Sequence, residues 1–189
     1  MFKELVREEL INIIENKKDY FKYFGTDGIS FELWLTIELA YKLKDQVKVY
    51  CTPSIKSLYE RKLQDIDIAE QDLSKRLDLV IEKEGNKCAI EIKIAIPQTL
   101  ERYAQNCKTD IEKLEKIKHS SITEKLFILL VATRIPSNQY LDGWETWIKE
   151  IFGESYDGLV VTPDKFHPRN NNKDHDTSSV NTVLYIKSI

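Results

Sequence analysis

Apolar positions recur along this chain with two different periods, and each change of period marks an element. Residues 2 to 16 carry Leu5, Val6, Leu10, Ile13 and Ile14 at helical spacing. A lysine- and aromatic-rich link, KKDYFKYF, follows and ends in a turn signal from Gly25 to Gly28. Its clustered Tyr and Phe read as core rather than as a base-stacking platform. A second helix is predicted from Ser30, a good N-cap, to about Lys44. Val47 to Cys51 reads as a strand ended by Pro53. Residues 54 to 75 then form a charged insertion, with a short helix suggested by Ile55, Leu58, Tyr59 and Leu63. Its Lys56, Arg61 and Lys62 read as a solvated surface.

From 75 to 95, KRLDLVIEKEGNKCAIEIKIA, the period falls to two and the pattern predicts a β-hairpin. Strand alternation puts Leu77, Leu79 and Ile81 on one face and Arg76, Asp78, Val80 and Glu82 on the other. In the second strand Cys88, Ile90, Ile92 and Ile94 form an apolar row, with Ala89, Glu91, Lys93 and Ala95 opposite. A turn at Gly85-Asn86 would pair Leu79 with Ile92. A tighter turn at Glu84-Gly85 shifts the pairing by two and keeps the faces. Under either turn Asp78, Glu91 and Lys93 share one face of adjacent strands.

Beyond the hairpin, Pro97 suits the first turn of a helix reaching about Lys118, with Leu100, Tyr103, Ala104, Cys107, Ile111, Leu114 and Ile117 as its apolar stripe. Leu126 to Ala132 is apolar throughout, as in a strand covered on both faces. Trp144, Trp147, Ile148 and Ile151 define a further amphipathic helix, and Gly158 to Thr162 and Val180 to Lys187 read as strands. Between them, residues 163 to 179 are polar; His167, Asp174, His175 and Asp176 lack helical or finger spacing and read as a surface loop.

Bulk composition adds bounds. The 189 residues suit one domain, 42% apolar and 31% charged, as in an ordinary soluble globular protein. No apolar run reaches membrane-spanning length, and the charged N-terminus is unlike a signal peptide. Cys51, Cys88 and Cys107 are an odd count without metal spacing, which points to buried thiols in a reducing cytoplasm. A net charge of −3 excludes a global basic field for indiscriminate nucleic-acid binding.

The chemistry lies in the hairpin. Two carboxylates converging beside an amine make a site for a hard divalent cation, since Mg²⁺ takes oxygen ligands and is held by one or two carboxylates plus phosphate. The adjacent lysine can orient a water or steady phosphate charge. Asp78 followed by Glu91-x-Lys93 on a hairpin resembles the PD-(D/E)XK nuclease superfamily, over roughly residues 30 to 132. That resemblance implies an α/β, restriction-endonuclease-like αβββαβ core with a central mixed sheet flanked by helices, and residues 140 to 189 would append a helix and strands. It implies a DNA phosphodiesterase using Mg²⁺, or Mn²⁺, held by Asp78, Glu91 and the Ile92 carbonyl, with Lys93 positioning the water.

In that superfamily a glutamate on the preceding helix often completes the metal shell. Spacing at about 100° per residue puts Glu32 beside Leu35, Leu39 and Leu43 and Glu38 beside Lys42 on the polar side. Glu32 is therefore the candidate ligand, although an acid in a first turn also favours the helix dipole without further function. The RecB-like subset carries Gln-x3-Tyr, whereas here Gln98 precedes Tyr103 by five, so that subset is not assigned. The expected partners are DNA and a second copy or partner subunit, with no membrane. The alternative function is an inactive nuclease-fold protein serving as a nucleic-acid-binding or assembly subunit.

Overall fold

A computed structural model describes residues 1–58, 72, 74–96, 102–133, 144–153, 159–162 and 181–189. The chain is an α/β protein. Among the described residues six strands order as β1-β2-β3-β4-β6-β5. They are β1 (Lys48–Cys51), β2 (Leu79–Lys83), β3 (Asn86–Ala95), β4 (Ile122–Thr133), β5 (Leu159–Thr162) and β6 (Asn181–Ser188). The sheet is mixed, with β3 and β4 parallel and every other neighbouring pair antiparallel.

Helices cover both faces. One face packs on α1 (Phe2–Asn16), α2 (Lys18–Asp27) and α3 (Glu32–Leu43). There Val6, Leu10, Leu35 and Leu39 meet Leu79, Ile81, Ile90, Ile92, Leu126 and Ile128. The other face packs on α4 (Ile55–Leu58), α5 (Arg102–Glu115) and α6 (Trp144–Phe152). Cys107, Ile111, Leu114 and Ile148 meet Val80, Ala89, Phe127, Leu129 and Val183 there. The apolar run in β4 follows from this, because alternate residues serve two different cores. The first turn of α1 is tied to the sheet by Glu124, whose carboxylate accepts from the N–H groups of Phe2 and Lys3, both at 3.0 Å.

The residues predicted as a link after α1 are helical instead. Phe21 is buried against Phe31 and Trp34, and Phe24 stacks on Phe31, so aromatic packing holds α2 where the local signals read as a turn. Gly28 ends it at φ 65°, in the left-handed region that glycine adopts without strain. α3 begins at Glu32 with Phe31 as its cap residue, so Ser30 is not the N-cap. Cys88 and Cys107 are buried free thiols, but Cys51 is exposed, because β1 is an edge strand and leaves that end uncovered.

The hairpin uses the tighter turn. Lys83 pairs with Asn86, and Glu84 and Gly85 form the tip with φ values of 55° and 81°. Positive φ at both central positions is the geometry that matches the twist of flanking strands. Leu79 accordingly pairs with Ile90. Strict alternation stops at Asp78, where the chain bends: Leu77 packs with Ile55 and Leu58 in the second core, not with Leu79 and Ile81. Thr52 N–H donates to the Asp78 carbonyl and Leu77 N–H to that of Pro53, which holds the bend against the end of β1.

Tyr59, Arg61, Leu63, Pro97, Gln98, His167 and His175, on which parts of the sequence reading fall, lie outside the described residues, as do Lys62, Leu100, Asp174 and Asp176. No helix among the described residues is long and apolar enough to cross a membrane.

Candidate active site

β3 outruns its neighbour. Its pairing with β2 ends at Leu79–Ile90, while its pairing with β4 continues to Ala95. Residues 91 to 95 therefore leave the β2 side of their backbone without a strand, and two side chains, Asp78 and Tyr103, reach into that gap. Asp78 stands one step beyond the last pair, opposite Glu91. Its Oδ2 accepts from the Ile92 N–H at 2.7 Å. Ile94 N–H faces the same gap and donates to the Tyr103 hydroxyl at 3.3 Å. Because a strand residue's N–H and C=O point to the same side, the Ile92 carbonyl opens toward the Asp78 carboxylate.

Glu91 is 1% exposed. Its Oε1 lies 2.7 Å from Lys113 Nζ, an ion pair by distance that lacks the angle of a directed hydrogen bond. Burial pushes the Glu91 carboxyl up to about 8, and the neighbouring Asp78 charge adds to that, while Lys113 pulls the other way. Lys113 Nζ also lies 3.0 Å from Asp110 Oδ1 and donates to the Arg76 carbonyl at 3.0 Å.

Lys93 sits in the middle of this chain of charges. Its Nζ is 3.0 Å from Glu32 Oε1 and 3.0 Å from Asp110 Oδ2. Burial disfavours the ammonium, but the two carboxylates outweigh it and hold the Lys93 pKa above the ordinary lysine value. Glu32 comes from the helix layer on one face and Asp110 from the layer on the other, so Lys93 bridges both layers at the uncovered end of β3. Tyr103 OH donates to Glu32 Oε2 at 3.2 Å, and burial with that carboxylate nearby raises the phenol's pKa. An open cleft of about 600 Å³ adjoins these groups, lined among others by Glu32, Leu33, Lys93, Tyr103, Asn106 and Asp110.

The residues singled out in the sequence thus divide into two linked groups. Asp78, Glu91 and Ile92 form an acidic pair beside a backbone carbonyl. Glu32 and Lys93 form an ion pair at the cleft, so Glu32 touches the lysine and the tyrosine. Glu38 is half-buried elsewhere on α3. Among the described residues no three or more His, Cys, Asp or Glu side chains are gathered for a metal ion.

Three members of the site come from α5 and were not singled out as such: Tyr103, read as part of the apolar stripe and set aside because its spacing from Gln98 misses the Gln-x3-Tyr pattern, Asp110 and Lys113. A signal for them does exist in the sequence. Tyr103, Asn106, Asp110 and Lys113 follow one another at intervals of three and four, a polar row directly beside the apolar stripe of the helix. No family model, curated protein or solved structure matches this chain.

Proposed function

We propose that the chain is a Mg²⁺-dependent phosphodiesterase acting on DNA, with a restriction-endonuclease-like core formed by α3, β1, β2, β3, α5 and β4. The observation that carries the reading is the acidic pair of Asp78 and Glu91 where β3 outruns β2, with Lys93 two residues further along β3 and linked to Glu91 through Asp110 and Lys113. Two carboxylates beside a carbonyl fit Mg²⁺ or Mn²⁺, which keep waters and take the remaining oxygens from substrate phosphate. The upward pressure that Asp78 exerts on Glu91 supports the fit, since two neighbouring acids in a buried place are most comfortable with a cation between them. Asp78, Glu91 and the Ile92 carbonyl would hold the ion. When bound, it supplies charge neutralisation for the phosphate and a lowered pKa for its water.

The chain's own groups do the rest. Lys93 is kept protonated by Glu32 and Asp110, so it serves as a donor to the attacking water and not as its base. Tyr103 fixes Glu32, and through it the ammonium. In-line attack on a phosphodiester seated in the cleft would leave a 5′-phosphate and a 3′-hydroxyl.

The second reading, an inactive nuclease-fold subunit that binds nucleic acid, is favoured by one observation: Lys113 already places a positive charge on Glu91. The two are separated by incubating the protein with plasmid, linear duplex and single-stranded DNA, with Mg²⁺ and with a chelator. Metal-dependent cutting that disappears in Asp78→Asn supports the enzyme. Asparagine is the right replacement because its amide oxygen still accepts from Ile92 N–H while the charge is gone; alanine would also remove that bond, at about 1 kcal/mol or more. Absence of both cleavage and calorimetric Mg²⁺ or Mn²⁺ binding in the native chain would favour the subunit.

A further inference from the structure

α3 is satisfied on one side only. Leu35, Leu39, Ala40 and Leu43 are buried against the sheet layer. Leu33, Ile37 and Tyr41 stand 66%, 56% and 62% exposed. Their spacing of four sets them in a single row along the helix. Tyr20 of α2 widens that row: it is 49% exposed and stacks on Trp34 with ring centres 5.6 Å apart and planes 8° from parallel. An outward helix face would ordinarily be polar. Each of these four side chains leaves on the order of 100 Å² uncovered. Together they approach the apolar share of the ~800 Å² that each partner buries in a standard interface.

The charges along α3 say what covers the row. Of the exposed charges, Asp27 at the end of α2 lies before its N-terminal end and Lys42 and Lys44 lie at its C-terminal end, with Asp45 as the exception; Glu32 is taken up by Lys93 and Tyr103. A second α3 laid parallel would set like charge on like. Laid antiparallel, it brings the lysines of each copy toward Asp27 of the other and opposes the two helix dipoles. The row is also self-complementary about its centre, since Leu33 and Tyr41 are equally far from Ile37. A two-fold interface asks for that pattern.

We propose that the chain forms a homodimer through α3. The two helices run antiparallel, Ile37 of both copies meets on the two-fold axis, and Leu33 of each copy packs against Tyr41 of the other. Leu33 also borders the cleft, so the interface would adjoin the site, but the inference does not rest on the reaction proposed there.

Sedimentation equilibrium of the full chain across the micromolar range tests the association. The native protein is expected to sediment as a dimer. Ile37→Glu, which places two carboxylates together on the axis, should weaken association ~100-fold or more. Because Ile37 is exposed, the circular dichroism melt of that variant should match the native one. Register is tested in a Cys51→Ser background, which removes the exposed native thiol. Ile37→Cys should form a disulfide-linked dimer by itself under mild oxidation. Leu33→Cys should do so only when mixed with Tyr41→Cys chains. A native chain that stays monomeric across the range overturns the proposal, as does an Ile37→Glu variant that associates like the native protein. Self-linking of Leu33→Cys as efficient as that of Ile37→Cys overturns the antiparallel register.

Discussion

Lys93 is held by two carboxylates from opposite helix layers, and that determines what its removal should do. Lys93→Ala should leave metal affinity equal or higher, because a neighbouring positive charge is gone. Single-turnover cleavage at saturating Mg²⁺ should fall by two or more orders of magnitude, about 3 kcal/mol of transition-state stabilisation. Lys93→Arg should rescue poorly, since a planar guanidinium cannot take the place of a compact ammonium between Glu32 and Asp110. Glu91 gives a second prediction at this scale, read without any substrate. Its carboxyl titrates near an ordinary 4.5 when the chain is unfolded and is pushed up to about 8 in the fold. Between those values the native state binds more protons than the unfolded one, so this residue makes stability fall as pH rises. In metal-free buffer the melting temperature of the native protein should therefore drop from pH 5 to pH 8 relative to Glu91→Gln. Parallel pH profiles for the two proteins would remove burial as the cause.

At the scale of elements, β3 was legible from its alternation and β4 from its unbroken apolar run, and the hairpin faces came out of parity. What parity could not choose was the turn, and the positive φ of Glu84 and Gly85 is what fixes Asp78 opposite Glu91. The break at Leu77 was hidden for a related reason: an apolar residue next to a strand reads as part of it, and only the hydrogen bonds to the end of β1 turn the chain there. α2 was missed because its helix rests on contacts among Phe21, Phe24, Phe31 and Trp34, which local propensity does not contain. Asp110 and Lys113 escaped because mixed charges beside an apolar stripe look like an ordinary solvated flank until the sheet is placed beneath them. The tie between α1 and β4 is equally non-local. Glu124→Ala removes the acceptor for two N–H groups of the first turn and should cost about 1–2 kcal/mol of stability, measured by urea unfolding.

For the whole molecule, the net charge is −3 and both site lysines are already engaged by carboxylates, which leaves little free positive charge at the cleft for the DNA of the proposed function. Binding should therefore depend weakly on salt, with a slope of log K against log salt no steeper than about −3, the signature of a few phosphate contacts. A steep slope in a fluorescence-anisotropy titration would mean that a basic surface beyond the cleft carries the affinity. The bridge at Lys93 has one more consequence, which concerns time. Glu32 and Lys93 are 61 residues apart in the chain and Glu32 and Tyr103 are 71 apart. Glu32 reaches Lys93 once α3 has docked on one face of the sheet, but Tyr103 and Asp110 join them only when α5 docks on the other. A nascent chain still on the ribosome, with α3 and the hairpin made but α5 not yet emerged, has only the Glu32 half of the bracket for the ammonium. Under the proposed function such a precursor would cut poorly, and a nuclease completed only when α5 closes would spare nucleic acid while it is being made.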